Sequence, residues 1–209
     1  MSKLLYIQAS PRGERSYSMA AANAFVEAYG AAHPDDQISS INLFTTELPT
    51  FDGFTLNAKY AILNGQDHTD DEAVAWKAVE AVIESFTSAD KLVFAVPMWN
   101  FGIPYRLKHF IDVIVQPGYT FSFSPEEGYQ GLVTGKPVFI SYSRGGAYPA
   151  GSDTEAFDLQ TKYFELFLGF IGFTDVQRVI VEGTLAGPDA ADASKAAAIE
   201  DARNLAQSF

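Results

Sequence analysis

The sequence predicts a doubly wound α/β domain, in which helices cover both faces of a parallel β-sheet. Short apolar runs bounded by turn residues alternate along the chain with stretches whose apolar residues recur at helical spacing. Three of the runs, KLLYI, LVFAV and PVFIS, are almost continuously apolar, which is typical of parallel strands buried on both faces. No repeat, low-complexity tract or linker divides the 209 residues, so we expect a single domain over residues 1–209.

The apolar runs predict five strands. Their approximate bounds are 3–9, 37–42, 91–96, 137–142 and 175–181. Five such strands separated by helices suit a flavodoxin-like sheet with the strand order 2-1-3-4-5. In that order strands 1, 3 and 4 are neighbours, and ligands bind beyond their carboxyl ends, at the switch point between strands 1 and 3. The segments that follow these three strands are therefore the candidate site.

Helical spacing of apolar residues predicts the helices between the strands. One is expected before the second strand, one after Asp70, one after Pro104 and one from about Glu155. Their apolar positions are, in chain order, Met19, Ala22, Phe25, Val26 and Tyr29; Ala75, Val79, Val82, Ile83 and Phe86; Leu107, Phe110, Ile111 and Ile114; and Phe157, Phe164, Phe167, Leu168 and Ile171. Pro104 is expected in the first turn of its helix, where its missing N–H has no cost. The alanine content predicts a last helix from about Asp189.

Composition excludes several classes of protein. The chain has 14 Lys and Arg residues against 26 Asp and Glu, and its net charge of -12 repels nucleic acid. It has no cysteine, which excludes disulfides, thiolate metal sites and thiol nucleophiles. The longest apolar stretches, LVFAVPMW and LFLGFIGF, fall short of the roughly 18 residues of a membrane span, and the N-terminal apolar run is shorter than a signal-peptide core. We therefore expect a cytoplasmic protein with no nucleic-acid partner and no membrane span.

The first candidate segment, SPRGERSYS at residues 10–18, is called the serine loop and leads into a helix. Free N–H groups at a helix N-terminus, together with the hydroxyls of Ser10, Ser16 and Ser18, favour phosphate binding. Arg12 and Arg15 add positive charge. The alternative is that Ser16 or Ser18 merely caps the helix. The loop lacks the three glycines of a dinucleotide fingerprint, and the chain has no Walker A sequence, so a monophosphate is favoured.

The second candidate segment, PMWNFGIP at residues 97–104, is called the aromatic loop. Trp99 and Phe101 offer flat apolar surface, Asn100 offers an amide, and Gly102 lets the backbone approach a ligand closely. The alternative is that both aromatic residues belong to the core beneath a loop. The position of the segment at the switch point favours ligand binding.

The third candidate segment, SRGG at residues 143–146, is called the glycine loop. Two consecutive glycines can direct their N–H groups at a carbonyl or an anionic ring atom, with support from Ser143 and Arg144. The alternative is a flexible glycine turn. Taken together, the three loops describe a site for a flat heterocycle with a phosphate tail, and FMN fits that description.

Six motifs occur in order within the stretch from residue 4 to about 181, over which the resemblance described next extends: SPRGERSYS, PMWNFGIP, LKHFID, GLVTGK, SRGG and FLGFIGFTDV. With these motifs the chain resembles the FMN-dependent NADH azoreductase and quinone reductase family, relatives of flavodoxin. The resemblance implies FMN contacts in the three loops. It assigns the phosphate and ribityl chain to Ser10, Ser16, Tyr17 and Ser18, the ring wall to Met98, Trp99, Asn100 and Phe101, and the pyrimidine edge of the ring to Ser143, Arg144, Gly145 and Gly146.

The resemblance also implies a homodimer with two FMN sites near its interface, NADH as co-substrate, and a quinone or azo compound as electron acceptor. Trp99 stands where the family often has Tyr or Phe, and Tyr105-Arg106 stands where small polar residues are common. Both differences are expected to alter the shape of the pocket and its substrate preference. Residues 119–130 resemble a family excursion that covers the flavin. Phe123 and Phe167 are candidates for the substrate face, and their roles stay open.

The expected reaction is ping-pong: NADH gives hydride to the flavin and leaves, and the acceptor then takes the electrons. No side chain is expected as a catalytic acid, base or nucleophile, because the cofactor carries the chemistry. No metal is expected, since His33, His68 and His109 are scattered without ligand spacing. Two alternatives remain, an FMN electron carrier reduced by a partner protein and a regulatory subunit. A choice between NADH and NADPH is not readable from Arg12, Arg15 and Lys59.

Overall fold

The computed structural model describes all 209 residues and contains seven strands and six α-helices. The strands are β1 (Lys3–Gln8), β2 (Gln37–Asn42), β3 (Lys91–Pro97), β4 (Phe121–Ser124), β5 (Gly128–Gly131), β6 (Val138–Ser143) and β7 (Val176–Val181). The helices are α1 (Tyr17–Ala32), α2 (Gly53–Leu63), α3 (Asp70–Thr87), α4 (Tyr105–Ile114), α5 (Leu159–Ile171) and α6 (Pro188–Ala206). No helix is both long enough and apolar enough to cross a membrane.

Five of the strands form one parallel sheet in the order β2-β1-β3-β6-β7. These are the five predicted strands, with bounds that differ by at most one residue, and β6 and β7 are the fourth and fifth of them. The predicted order is therefore confirmed. Because β1, β3 and β6 lie side by side, the three segments that follow them begin at one edge of the sheet.

Side chains of the sheet alternate between two apolar clusters on its opposite faces. Leu5 and Ile7 of β1 belong to one cluster, which also contains buried residues of α2, α3, α4 and α5. Leu4 and Tyr6 belong to the other, which contains buried residues of α1 and α6. This alternation follows from the period of two in a strand. It explains why the central strands are apolar at nearly every position, since neither face is exposed to water.

Helix α2 was not predicted. Its N-cap residue Asp52 accepts hydrogen bonds from the backbone N–H groups of Phe54 at 3.0 Å and Thr55 at 3.1 Å, which starts the helix. Only Thr55 and Ala58 of this helix are buried. The helix thus lacks the apolar stripe on which a prediction from periodicity depends.

Two predicted helix starts need correction. Pro104 has the extended backbone of an N-cap residue and precedes the first turn of α4 instead of lying within it. Phe157 lies in a single 3₁₀ turn, Glu155–Phe157, and is half-exposed, so its assignment to the following helix was wrong. The main helix begins two residues later because Asp158 caps it, accepting from Thr161 N–H at 2.9 Å.

Strands β4 and β5 form an antiparallel hairpin within the segment identified as an excursion. The hairpin packs on the end of α5, where Val133 N–H donates to Ile171 O at 2.8 Å and the rings of Phe121 and Phe170 are 4.9 Å apart. The start of α5 lies at the other end, where Gln160 Nε2 donates to Val96 O at 2.8 Å. Because thirteen helical residues span about 20 Å, the hairpin lies far from the candidate loops of its own chain.

Candidate functional site

The serine, aromatic and glycine loops start side by side at the carboxyl edge of the sheet. Ala9 N–H at the end of β1 donates to Ala95 O of β3 at 3.0 Å. Met98 N–H at the end of β3 donates to Ser143 O of β6 at 2.7 Å. The structure therefore brings together the three segments that the sequence singled out, at the switch point of the sheet.

The serine loop presents buried hydroxyls and free backbone donors at the N-terminus of α1. Ser16 is the N-cap residue, and its hydroxyl accepts from Met19 N–H at 3.3 Å and lies 3.2 Å from the Ser18 hydroxyl. Ser10 Oγ accepts from Arg12 N–H at 3.4 Å. All three hydroxyls belong to buried residues. The capping alternative is thus realised at Ser16, and a hydroxyl that caps a helix retains further capacity to hydrogen bond.

The N–H groups of Tyr17 and Ser18 have no acceptor within the protein. They are among the orphan donors of the first helical turn, at the positive end of the helix dipole. Arg12 and Arg15 are exposed nearby and form no ion pair, and the Arg12 guanidinium lies 6.0 Å from the centre of the Tyr17 ring. This arrangement suits an anion with several oxygens, such as a phosphate.

The aromatic loop is a two-residue hairpin turn closed by Trp99 and Gly102. Asn100 has φ 48° and Phe101 has φ 70°, the only residues other than glycine with positive φ. Positive φ at both central positions is the pattern of a type I′ turn, which normally contains Asn and Gly. Asn fits this preference, whereas a bulky Phe in this region is strained, and such strain occurs often at ligand-binding sites.

Neither aromatic side chain of the aromatic loop is buried in the core. Trp99 is half-buried, with its ring 5.7 Å from that of Phe44 and 6.2 Å from that of Tyr105. Phe101 is 48% exposed and lies 5.3 Å from the half-exposed ring of Phe157. The N–H groups of Asn100 and Phe101 have no acceptor within the protein. The loop therefore offers flat surface and two free donors at the same edge as the serine loop.

Arg144 anchors the glycine loop to the protein interior, because its side chain is buried and points away from solvent. Its guanidinium donates from Nη1 to Asp158 at 2.7 Å, and from Nη2 and Nε to Glu182 at 2.7 and 3.0 Å. Arg144 and Asp158 are both buried. Burial alone would raise the pKa of Asp158, but hydrogen bonds from Thr161 and the Arg144 ion pair outweigh it and lower that pKa.

The Gly145 and Gly146 N–H groups are the free donors of the glycine loop. Their carbonyl groups accept from Leu185 and Gly183, while their N–H groups have no acceptor within the protein. The glycine pair, rather than the Arg144 side chain, is thus placed to face a ligand.

Three residues that support these loops were not predicted from the sequence: Asp158, Glu182 and Gln160. Gln160 is fully buried, and its Nε2 donates to Val96 O at 2.8 Å and Ser143 O at 3.4 Å, which joins the ends of β3 and β6. Its Oε1 has no hydrogen-bond partner. Nothing local distinguishes a polar residue of this kind from one on a solvated helix face, so no sequence signal could have identified it.

A cavity of about 640 Å³ opens beside the aromatic loop. Its lining residues are Phe51, Trp99, Asn100, Ile103, Tyr105, Lys108, His109 and Asp112. His109 is held by a 2.9 Å contact between its Nε2 and Pro49 O, in which the ring nitrogen donates because a carbonyl can only accept. Lys108 forms an ion pair with Asp112. The volume of this cavity lies in the range of small-molecule sites.

The groups at the sheet edge fit FMN. Each of the three adjacent loops carries one pair of free N–H groups, and these pairs, at residues 17–18, 100–101 and 145–146, form a row. Buried hydroxyls lie at the serine-loop end of the row, and aromatic surface lies in its middle. Phosphate prefers the helix N-terminus, and a flat ring with carbonyl and ring-nitrogen acceptors prefers the other two pairs. No group of three or more His, Asp or Glu side chains converges as a metal site would require.

Comparison with known proteins extends these observations to the whole chain. Residues 2–206 match the family model described as flavodoxin-like fold. The chain is 52% identical, over 100% of both sequences, to an FMN-dependent NADH:quinone oxidoreductase of Nitratidesulfovibrio vulgaris. The azoreductase from Bacillus anthracis str. Sterne superposes with a TM-score of 0.92 at 33% identity, covering 100% of both chains. An FMN-dependent NADH-azoreductase from Bacillus anthracis str. Ames Ancestor, in complex with FMN, superposes with a TM-score of 0.87 at 28% identity, covering 99% of this chain and 100% of that one.

Proposed function

The chain belongs to the flavodoxin-like family, and we propose that it is an FMN-dependent oxidoreductase that uses NADH to reduce quinones or azo compounds. The observation that carries the proposal is the row of free donors on three adjacent loops, beside a cavity with aromatic walls. The names of the full-length relative and of the two superposed structures support the same activity. The net charge of -12 accords with a small-molecule acceptor.

The serine loop would hold the phosphate and ribityl chain, through the hydroxyls of Ser10, Ser16 and Ser18 and the N–H groups of Tyr17 and Ser18. The aromatic loop, Met98 to Phe101, would form the wall of the ring. When bound, FMN supplies a ring that accepts hydride and returns two electrons to an acceptor. The N–H groups of Gly145 and Gly146 would stabilise the negative charge of the reduced ring at its pyrimidine edge.

We also propose a ping-pong order, because the cavity beside Asn100 gives NADH and the acceptor the same route to the ring. NADH must therefore give up its hydride and leave as NAD⁺ before the acceptor can enter. The overall reaction balances as NADH, a proton and a quinone giving NAD⁺ and a hydroquinone. The protein's part is to bind, orient and exclude water, and no side chain of the cavity is required as a proton donor at the hydride step.

An anaerobic spectrum tests this function. Purified protein should show a flavin absorbance that bleaches on addition of NADH and returns on addition of a quinone. Initial rates at varied NADH and quinone concentrations should give parallel double-reciprocal lines, as a ping-pong order requires. A flavin that stays oxidised in NADH would instead indicate an electron carrier reduced by a partner protein. Failure to bind FMN on reconstitution would overturn the proposal.

We further propose that the protein is a homodimer, in which the hairpin reaches the partner's site. An aromatic surface on the hairpin and α5, made of Phe121, Phe123, Tyr129 and Phe170, continues through neighbouring ring contacts of 4.9 to 6.0 Å. Phe123 is 60% exposed and Tyr129 64%, and Leu166, one turn before Phe170, is 72% exposed. Such a contiguous apolar surface favours a protein interface.

Within one chain the hairpin lies far from the three loops, so Phe123 can face a cofactor only in the partner subunit. Light scattering should give twice the monomer mass. The double variant Phe123→Ser, Leu166→Ser should give a measured mass closer to that of the monomer. A monomeric mass for the unmodified protein at micromolar concentration would contradict the proposal. Phe167 is buried on the inner side of α5, and its role at a substrate face stays a prediction.

A further inference from the structure

The segment between β2 and α2, residues 43–51, is attached to the protein largely by side chains. From Glu47 to Phe51 no backbone N–H or carbonyl group pairs with another main-chain group. Leu43 and Leu48 belong to the buried core, whereas the residues between them are half-buried or exposed. Because main-chain pairing is so sparse here, the position of the 43–51 segment depends on the groups that contact its carbonyl oxygens.

Arg106 of α4 supplies two of these contacts. Its Nε donates to Leu43 O and its Nη2 to Thr46 O, each at 2.6 Å. Nε and Nη2 lie on one edge of the planar guanidinium, so the two hydrogen bonds form a rigid fork. Neither carbonyl accepts from a main-chain N–H, and Arg106 forms no ion pair. Every hydrogen bond of the Arg106 side chain is therefore made to the 43–51 segment.

His109, one turn farther along α4, supplies a third contact, to Pro49 O at 2.9 Å. Residues three positions apart lie on the same face of a helix, so Arg106 and His109 hold the 43–51 segment from one face of α4. Helix α4 begins directly after the aromatic loop. The anchors of the 43–51 segment and the aromatic loop are thus parts of one continuous stretch of chain.

Phe44 connects the 43–51 segment to the aromatic loop. In the chain it lies between the two residues whose carbonyl groups Arg106 holds. Its ring is 5.7 Å from that of Trp99 and 5.9 Å from that of Tyr105, and the latter two rings are 6.2 Å apart. These separations are typical of interacting aromatic pairs, so the three rings pack as one cluster. Trp99 is half-buried, and Phe44 and Tyr105 are its aromatic neighbours.

We propose that Arg106 is a positioning residue for the cofactor site. Its guanidinium fixes the 43–51 segment and with it the Phe44 ring. Phe44 and Tyr105 then hold Trp99 in one orientation, which preorganises the wall for the FMN ring. This inference rests on the proposed function and goes beyond it, because Arg106 belongs to none of the three loops. It also explains why Trp99 and Tyr105-Arg106, which differ from the family pattern, occur together: the structure joins them in one cluster.

Fluorine NMR of protein labelled with 5-fluorotryptophan tests the positioning. The chain has two tryptophans, and Trp76 is buried in the core, so its signal is an internal reference for the fold. Arg106→Met should shift or broaden the Trp99 signal and leave the Trp76 signal in place. Arg203→Met is the control, the same substitution at an exposed site on α6, and should move neither signal. An unchanged Trp99 signal in Arg106→Met, or equal movement of both signals, would overturn the inference.

FMN affinity gives the functional measure. Titration of apoprotein should show that Arg106→Met weakens FMN binding about fivefold, the range for residues that act without touching the ligand. Phe44→Leu keeps both carbonyl anchors but removes the ring, and it should weaken binding by a similar factor. Because both residues act through Trp99, the double variant should bind FMN about as well as either single variant, whereas independent effects would multiply to about 25-fold. Multiplied effects would overturn the inference.

The two measurements separate this inference from the proposed function. If the unmodified protein fails to bind FMN although the Trp99 signal responds to Arg106→Met as expected, the proposed function fails and Arg106 remains the anchor of Trp99. If the unmodified protein binds FMN and Arg106→Met binds it equally well, the proposed function stands and the positioning role of Arg106 fails.

Discussion

The backbone N–H of Trp99 donates to Gly102 O at 2.9 Å, and Gly102 N–H donates back to Trp99 O at 3.0 Å. This reciprocal pair closes the turn and holds Asn100 and Phe101 at positive φ. Their N–H groups cannot join the pair and remain free. The backbone strain of the turn and the free N–H groups of Asn100 and Phe101 thus have the same geometric origin.

Replacement of Phe101 separates its backbone strain from its ring. Phe101→Ala and Phe101→Gly both delete the half-exposed ring, but only glycine adopts φ 70° without steric cost. We expect the Gly variant to be more stable than the Ala variant by about 1 kcal/mol, measured as the free energy of unfolding in urea. Equal stability of the two variants, or a more stable Ala variant, would show that the turn is not strained.

Ser16 is expected to have two separable roles. Its hydroxyl caps α1, so Ser16→Ala should lower the free energy of unfolding by about 1 kcal/mol, whereas Ser16→Gly, also a tolerated cap, should cost only a few tenths. Both variants remove a hydroxyl from the proposed phosphate site and should weaken FMN binding about tenfold or more. Fluorescence titration of apoprotein with FMN measures this. An FMN affinity retained in Ser16→Gly would restrict Ser16 to capping.

Prediction from sequence is accurate where burial leaves a periodic or continuous apolar pattern. The central strands are buried on both faces, so the bounds predicted for β3 and β6 are right to within one residue. Helix α2 was not predicted, because it buries only Thr55 and Ala58. Strands β4 and β5 were not predicted either, because their side chains are mostly half-buried or exposed and give no clean alternation.

Some parts of the candidate site were likewise predictable from the sequence, and others were not. The three loops were found because strand order brings the ends of β1, β3 and β6 to one edge. The partners of Arg144 were not found, since Asp158 and Glu182 lie 14 and 38 residues away and meet it only after folding. The direction of the Arg144 side chain depends on those two carboxylates. Such long-range charge pairing leaves no local signal in a single sequence.

The hairpin depends on glycine at position 131. A Cβ there would lie 2.3 Å from Gly172 N and 2.4 Å from Ile171 C, both main-chain atoms that cannot rotate away. Gly131→Ala should therefore lower the free energy of unfolding by about 2 kcal/mol. The control is Gly169→Ala on the exposed side of α5, where no atom lies within 4 Å and alanine should stabilise the helix by up to about 1 kcal/mol. Unchanged stability of Gly131→Ala would show that the hairpin packs more loosely on α5.

Removal of the Arg144 guanidinium should destabilise the protein in a pH-dependent way. Arg144→Met leaves Asp158 buried without its ion-pair partner, so we expect a loss of about 3 kcal/mol in the free energy of unfolding at pH 7. Arg178→Met is the control: its ion pair with Glu165 is half-exposed, and its loss should cost less than about 1 kcal/mol.

The sign of the pH dependence follows from the lowered pKa of Asp158. In the unmodified protein the contribution of this carboxylate is present above its unfolded pKa of about 4 and is lost as pH falls through the lower folded pKa. In Arg144→Met burial still raises that pKa, and the guanidinium no longer opposes it, so Asp158 takes up its proton at higher pH than before. The stability difference between the two proteins should therefore be largest near neutrality and should shrink toward pH 4. Urea unfolding at pH 7, 5.5 and 4 measures it, and a difference that is constant or grows on acidification would contradict the ion-pair role of Arg144.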